Sequence, residues 1–463
     1  MSDYAVGRIA GESTQDRVDE STHRASSAAW FALYVLLAVL ILCAVDQVVL
    51  TIGTEPMRKA LGLSDAQLGL LQGLGLSLAG AVGSVPLAWL ADRYDRRWVL
   101  AACIVFWSAA TAVRGLGQSF EVIMASTIGM SLAAASLMPI AYAIIPSLFH
   151  GRQRATANLI FYAGSALGSS LAMMLGGAVF AAIDAHAAAM PAFLHGMESW
   201  RTASFAVAIV GPLFAALVMA IRDRQHSNAA DHRAALQASK GELSRHLRAH
   251  WRAVVGVFGA AAAGGAAMGP LMAWLPIAMA RRFQLSPAEI GAQLGGILLV
   301  ATVVGIATSG LFNRIWGHRL GELLSVRAAP YLTGFSAIPL ASFAFIGSAQ
   351  AAYVAIFLIM VPLIAFNAGM PIVYQGIAPG NVRARLMAMS SAIAIVAVAL
   401  GPIAVGYLSD YIGKNENALL MACAVIGVPL TLLSATLMLW AEKHVRATLA
   451  AVRREDDAAR AGT

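Results

Sequence analysis

The chain has 463 residues, of which 59% are hydrophobic and 12% charged, and its mean hydropathy is +0.72. A typical soluble domain carries about 25% charged residues, so a water-soluble fold could not bury this much apolar surface. The formal net charge of +8 must be explained within that frame.

Twelve apolar runs recur along the chain, each long enough to cross about 30 Å of hydrocarbon as a helix. They are predicted at 30–52, 66–91, 98–116, 121–146, 155–183, 201–221, 253–280, 289–312, 328–347, 351–376, 386–410 and 417–440. They are numbered spans 1 to 12 below. Hydrocarbon cannot satisfy backbone N–H and C=O groups, which leaves helices as the reading for all twelve. Residues 1–29 are polar and mixed in charge, with no short apolar core before span 1. A cleaved signal peptide is therefore not expected, and the N-terminus should stay in the cytoplasm.

Lysine and arginine test that orientation, because cytoplasmic loops carry their excess. With the N-terminus inside, 25 of the 32 fall in cytoplasmic segments. Both termini are then cytoplasmic, as in a multi-pass protein of the inner (plasma) membrane. The basic balance reads as a topology signal plus attraction to anionic lipid heads; nothing separate points to nucleic acid.

The chain also repeats itself. Leu63-Ser64-Asp65-Ala66-Gln67-Leu68-Gly69 before span 2 is echoed by Leu285-Ser286-Pro287-Ala288-Glu289-Ile290-Gly291 before span 8, and Gly83 and Gly305 keep the same offset of 222. Arg152 and Arg154 after span 4 are echoed by Arg383 and Arg385 after span 10. The expected organisation is a tail at 1–29, a six-helix bundle at 30–221, a basic amphipathic linker helix on the membrane surface at 222–252, a second bundle at 253–440 and a tail at 441–463. The fold class is thus all-α, an integral membrane protein of twelve transmembrane helices in two pseudo-symmetric bundles. Internal repeats of this kind are a common plan of transporters.

The loop after span 2 reads Leu90-Ala91-Asp92-Arg93-Tyr94-Asp95-Arg96-Arg97. It resembles the G-x-L-A-D-R-x-G-R-R signature of the major facilitator superfamily, with Ala88 and Asp95 where glycines are usual. Glu55-Pro56-Met57-Arg58-Lys59, Gly69-Leu70-Leu71-Gln72 and Ile160-Phe161-Tyr162-Ala163 add a resemblance to the spinster branch. The likeness covers about residues 30–440. It implies a major facilitator fold and alternating-access transport of lipid-like amphiphiles, often linked to protons. By resemblance, Asp92, Arg93, Arg96 and Arg97, with Arg152, Arg154, Arg383 and Arg385, would form a cytoplasmic gate. A plain positive-inside anchor is the alternative.

Asp46 is the clearest ionisable residue inside a span, where a carboxylate costs about 2.5–3.5 kcal/mol on insertion scales. Two roles are open: a proton-coupling site whose affinity is raised by desolvation, or a carboxylate paired with a cation to hold helices together. Arg114 in span 3 is the candidate partner, although snorkelling to the interface would explain it equally well. The offset of 222 makes Met268 the repeat mate of Asp46. The branch resemblance implies charged neighbours where this chain has Gln47, Thr127 and Ala134, so coupling could be lost and the protein could run as a uniporter.

The superfamily resemblance also implies that spans 1, 4, 7 and 10 line the central cavity. The candidates there and on neighbouring spans are Gln47, Gln72, Thr127, Met130, Met138, Tyr162, Met268, Trp274, Gln293 and Asn367. Thioethers and a Trp suit a loosely shaped apolar cargo; the uncharged polar residues also serve as interhelical glue. The expected partners are membrane lipids and a small amphiphilic solute, lipid-like molecule or organic anion, with protons as a candidate coupling ion. The protein is expected to be monomeric.

Glu289 and Gln67 stand three residues after Ser286 and Ser64, the spacing of a capping box. Cys43, Cys103 and Cys423 lie singly in spans and read as packing residues. Asp184, His186, His195 and Glu198, in the loop before span 6, read as solvent-exposed rather than as a metal site. No cofactor or metal is expected. A lipid-acting enzyme is disfavoured by the absence of a G-x-S-x-G elbow or an intramembrane acid–histidine cluster, and none of the four lysines sits in a P-loop motif. A non-transporting receptor or scaffold on the same fold remains an alternative.

Overall fold

The computed structural model describes residues 26–149, 151–187, 196–221, 240–321, 323–379, 382–413 and 415–461. Among these residues eleven helices are long and apolar enough to cross a membrane. The remaining span, number 9, is Leu323–Ala341 followed by a 3₁₀ turn at Ser342–Ala344. Arg327, Pro330 and Pro339 lower its hydropathy, yet it packs between spans 10 and 12 as an ordinary member of its bundle.

Most helices overrun their predicted apolar cores by a few residues, because polar caps are invisible to hydropathy. Span 1 is Ser27–Leu61, with the Ser26 hydroxyl accepting from Ala29 N–H at its start and Gly62 in the left-handed region at φ 67° closing its end. Ser64 and Gln67 form a reciprocal capping box, as do Ser286 and Glu289. Span 7 ends on Gln284, also left-handed at φ 53°, whose side-chain amide donates to Arg281 O at 2.8 Å. Span 12 departs most from expectation. Its helix runs Ala418–Ala461, so the segment expected as a tail beyond 440 is helical as far as the described residues reach.

Within each half the same neighbours touch. Spans 1–5, 1–6, 2–4 and 3–6 pack together in the first half, and spans 7–11, 7–12, 8–10 and 9–12 repeat that pattern in the second. Of the linker, residues 222–239 lie outside the described residues. The rest contains a helix, Lys240–Ala249, whose Leu243 and Leu247 pack on the core of the second half. His246 bonds to Ile377 O at 2.9 Å and His250 to Thr448 Oγ1 at 3.1 Å. This described part of the linker therefore belongs structurally to the second bundle.

The halves meet along two antiparallel seams, span 5 on span 8 and span 2 on span 11, with a lighter contact of span 1 on span 7. Glycines permit the close approach, the usual device where helices have no hydrophobic drive to associate. A Cβ at Gly177 would lie 2.6 Å from Gly291 Cα, and one at Gly69 would lie 2.7 Å from Pro402 O. The seam contacts run from these residues as far as Ser170 and Thr302. They occupy the end of the molecule remote from the face that gathers the start of span 1, the ends of spans 4 and 6, the linker helix and the extension of span 12.

Gly177→Leu should wedge spans 5 and 8 apart. A reporter Ser409→Cys, buried beneath the remote end, is then expected to react several-fold faster with a membrane-impermeant maleimide than the same reporter in the parent chain.

Candidate functional site

Between the two halves lies a cavity of about 740 Å³. Gln47 and Thr51 of span 1, Gln72 of span 2, Tyr162 of span 5, Met268 of span 7 and Asn367 of span 10 are in its wall, together with residues of spans 8 and 11. Five of the ten cavity candidates are thus brought together: Gln47, Gln72, Tyr162, Met268 and Asn367.

The other five are placed elsewhere. Span 4 contributes nothing to the described wall, because its polar face is turned against spans 2 and 3. Thr127 is fully buried, donates to Ile123 O and packs on Gly75. Met130 lies against the Arg114 guanidinium. Met138 packs on the core of the first half. Trp274 is fully buried and donates its indole N–H to Pro402 O at 3.0 Å, bolting span 7 to span 11. Gln293 is exposed on span 8.

Span 2 explains part of this displacement. Leu71–Leu78 is wound as a π-helix between two α-helical stretches, Asp65–Leu70 and Ala79–Arg93. Such turns are rare and occur often at functional sites. Two hydroxyls bond its carbonyls: Ser77 Oγ donates to Gln72 O at 3.2 Å, and Ser131 Oγ of span 4 donates to Leu76 O.

The repeat also slips. Ala44, Gln47, Val48 and Thr51 in the wall match Gly265, Met268, Gly269 and Met272 at an offset of 221, one less than the loops keep. The mate of Met268 is therefore Gln47, and Asp46 corresponds to the buried Ala267. One residue is about 100° of helix rotation, enough to turn Asp46 away from the cavity.

Asp46 faces spans 3 and 6 inside the first half. Its carboxylate accepts from Arg114 Nη2 at 2.5 Å, Thr111 Oγ1 at 2.7 Å and Trp107 Nε1 at 2.6 Å. Arg114 also reaches Ser204 Oγ and Met130 Sδ at 3.2 Å. Asp46 is 0% exposed and Arg114 1%, so the arginine does not snorkel to the interface. Buried acid, buried base and two neutral donors form one compensated cluster.

Of the expected gate, the side chains of Asp92 and Arg152 lie outside the described residues. Arg96 donates to Ala143 O, while Arg97 chelates Asp95 and donates to Ile221 O. Arg93 lies over the Trp89 ring and Arg383 donates to Ala378 O. Arg154 is exposed and Arg385 half-buried. The partners described for these arginines belong to their own halves.

Among the described residues an ion cluster joins the halves at the remote end, where sequence reasoning did not look. Arg281 of span 7 grips both oxygens of Asp65 at 2.8 Å and reaches Glu55 at 3.0 Å. Arg58 pairs with the other side of Glu55. Ser409 donates to Asp65 at 2.7 Å, and Asp410 accepts from the backbone N–H groups of Asp65 and Ala66 at 3.0 and 2.7 Å. An anion from span 11 thus caps the N-terminus of span 2 across the interface, where the helix dipole favours it. The legible signal was polarity at span ends, which resembles ordinary snorkelling.

Cys43, Cys103 and Cys423 are buried and unlinked, and the described residues hold no group of three or more potential metal ligands. His195 lies outside the described residues.

The model of the Major Facilitator Superfamily matches residues 35–379. The chain belongs to that superfamily. An MFS-type efflux pump of Mycolicibacterium smegmatis is 26% identical over 203 residues, 44% of each chain. Protein spinster of Drosophila melanogaster is 26% identical over 200 residues, 43% of this chain and 31% of that one. The match therefore spans less than half the length of either curated relative. A solved bacterial homologue of the human lysosomal transporter Spinster, inward-facing and occupied, aligns with a TM-score of 0.73 at 20% identity, covering 92% of this chain and 97% of that one. Spinster-named proteins are thus among the relatives that stand beside the superfamily match.

Removing one partner of a buried ion pair leaves the other charge uncompensated, at a cost of about 3–5 kcal/mol. Asp46→Leu and Arg114→Met should each lower the thermal unfolding temperature in detergent strongly. The double variant should recover at least half of the sum, read as a double-mutant cycle.

Proposed function

We propose that this member of the superfamily is a transmembrane transporter that carries a small amphiphilic organic solute by alternating access. The observation that carries the reading is a solute-sized cavity between two pseudo-symmetric halves whose seams and ion cluster all lie toward one end. Rocking the halves about that cavity would release the Arg281–Asp65–Glu55 cluster and expose the remote side. The face holding both termini is the cytoplasmic one, by the Lys and Arg excess, in a plasma membrane; the conformation described is then inward-facing. An amide-and-thioether wall suits a loosely shaped apolar body better than a sugar, whose many hydroxyls would call for a denser set of hydrogen-bonding side chains.

Asp46 is assigned a structural role over a proton-coupling one. It is absent from the described cavity wall, and its charge is already matched by Arg114. The transporter is accordingly read as a uniporter with respect to this residue.

Proteoliposomes loaded with a pH-sensitive dye and offered lysolipids, sphingoid bases and small carboxylates test both statements. Counterflow of at least one solute is expected without a proton signal, and Met268→Trp, which narrows the cavity, should reduce it at least tenfold. No counterflow by any class would sink the transport reading. A proton signal present in the parent and silent in Asp46→Asn would instead restore coupling through that carboxylate.

A further inference from the structure

The wall of the cavity contains no Asp, Glu, Lys, Arg or His among the described residues. Asp46 and Arg114 neutralise each other behind it, and the Arg281 cluster is spent in sealing the remote end. A solute with a net charge would therefore cross the middle of the bilayer without a counter-charge, which is costly once water is excluded.

The polar groups that do face the cavity are mostly engaged with the protein. Thr51 donates to Gln47 O, Ser77 to Gln72 O and Thr302 to Leu298 O. Asn367 donates to Leu363 O. Gln72 is different: it is 4% exposed, and its amide nitrogen is buried with no hydrogen-bond partner. An unpaired buried donor costs the full desolvation of that group. It sits in the π-helical turn of span 2 and is in the wall of the cavity, so a change of side-chain rotamer would carry the amide into the lumen.

Resting on the reading of this cavity as the solute path, we infer that it is a site for uncharged amphiphiles, with Gln72 donating to a carbonyl, ester or ether oxygen of the solute while Met268 and Met272 contact its apolar body. Organic anions, which the sequence left open, are disfavoured. Gln72 would then be the specificity-determining residue, its partnerless donor reserved for the solute.

Isothermal titration of the protein in phosphatidylcholine nanodiscs, with empty discs subtracted, tests this using three probes that share one tail: 1-monooctanoylglycerol, octyl phosphate and octyltrimethylammonium. The uncharged probe is expected to bind at least tenfold more tightly than either ion. Gln72→Leu should weaken it about five- to tenfold, the loss of one hydrogen bond between neutral groups, without lowering thermal stability. Gln72→Lys should move the preference to octyl phosphate. Equal binding of the three probes, unchanged affinity in Gln72→Leu, or no binding above empty discs overturns the inference. Counterflow that proceeds with equal probe binding removes the site and leaves the transport reading. Selective, Gln72-dependent binding without counterflow does the reverse.

Discussion

Hydrocarbon solvates neither a peptide group nor a charge, and the architecture follows from that constraint. It makes every span a helix and sends polar caps to the ends. It also requires a local partner for each intramembrane ionisable group. Asp46 shows how strictly the rule is met: one guanidinium, one hydroxyl and one indole converge on its two oxygens. At the π-turn of span 2, hydroxyls of spans 2 and 4 add hydrogen bonds to the carbonyls of Gln72 and Leu76. Gln72 is the exception at the cavity, and exceptions to such a rule are where a ligand is most informative.

The two kinds of inter-half contact have different physical characters. Glycine seams are short-range and close: they hold only while backbones touch, and they exclude anything larger. The ion cluster around Arg281 is directional and joins spans 1, 2, 7 and 11 through hydrogen-bonded charges. Together they make one end of the interface a discrete closed arrangement. An interface closed by such discrete contacts suits the two-state opening proposed above better than a continuously deformable one would.

Much of the fold was legible because hydropathy, cap spacing and internal repetition are local properties of the chain. The boxes at Ser64–Gln67 and Ser286–Glu289 could be read from spacing alone. Span 9 was found as the apolar run 328–347 although Pro330 and Pro339 lie within it. The site was less legible, since lining a cavity depends on helix rotation. A register slip of one residue turned Asp46 inward and left Gln47 facing the lumen. Thr127, Met130 and Met138 looked like cavity residues because span 4 was assumed to face it, and no local pattern encodes the packing of its polar face on span 2. Asp410 capping a helix more than 340 residues earlier in the chain is a tertiary fact with no sequence signature.

The docking of the linker helix has a mechanical consequence. Because Lys240–Ala249 is fastened to the second bundle by His246, His250 and two leucines, no contact described between the bundles depends on the peptide bonds that join them. Two separately translated polypeptides, divided between residues 222 and 239, would still contain every glycine seam and every member of the ion cluster. Chain continuity serves chiefly to deliver the two bundles to one bilayer in equal number.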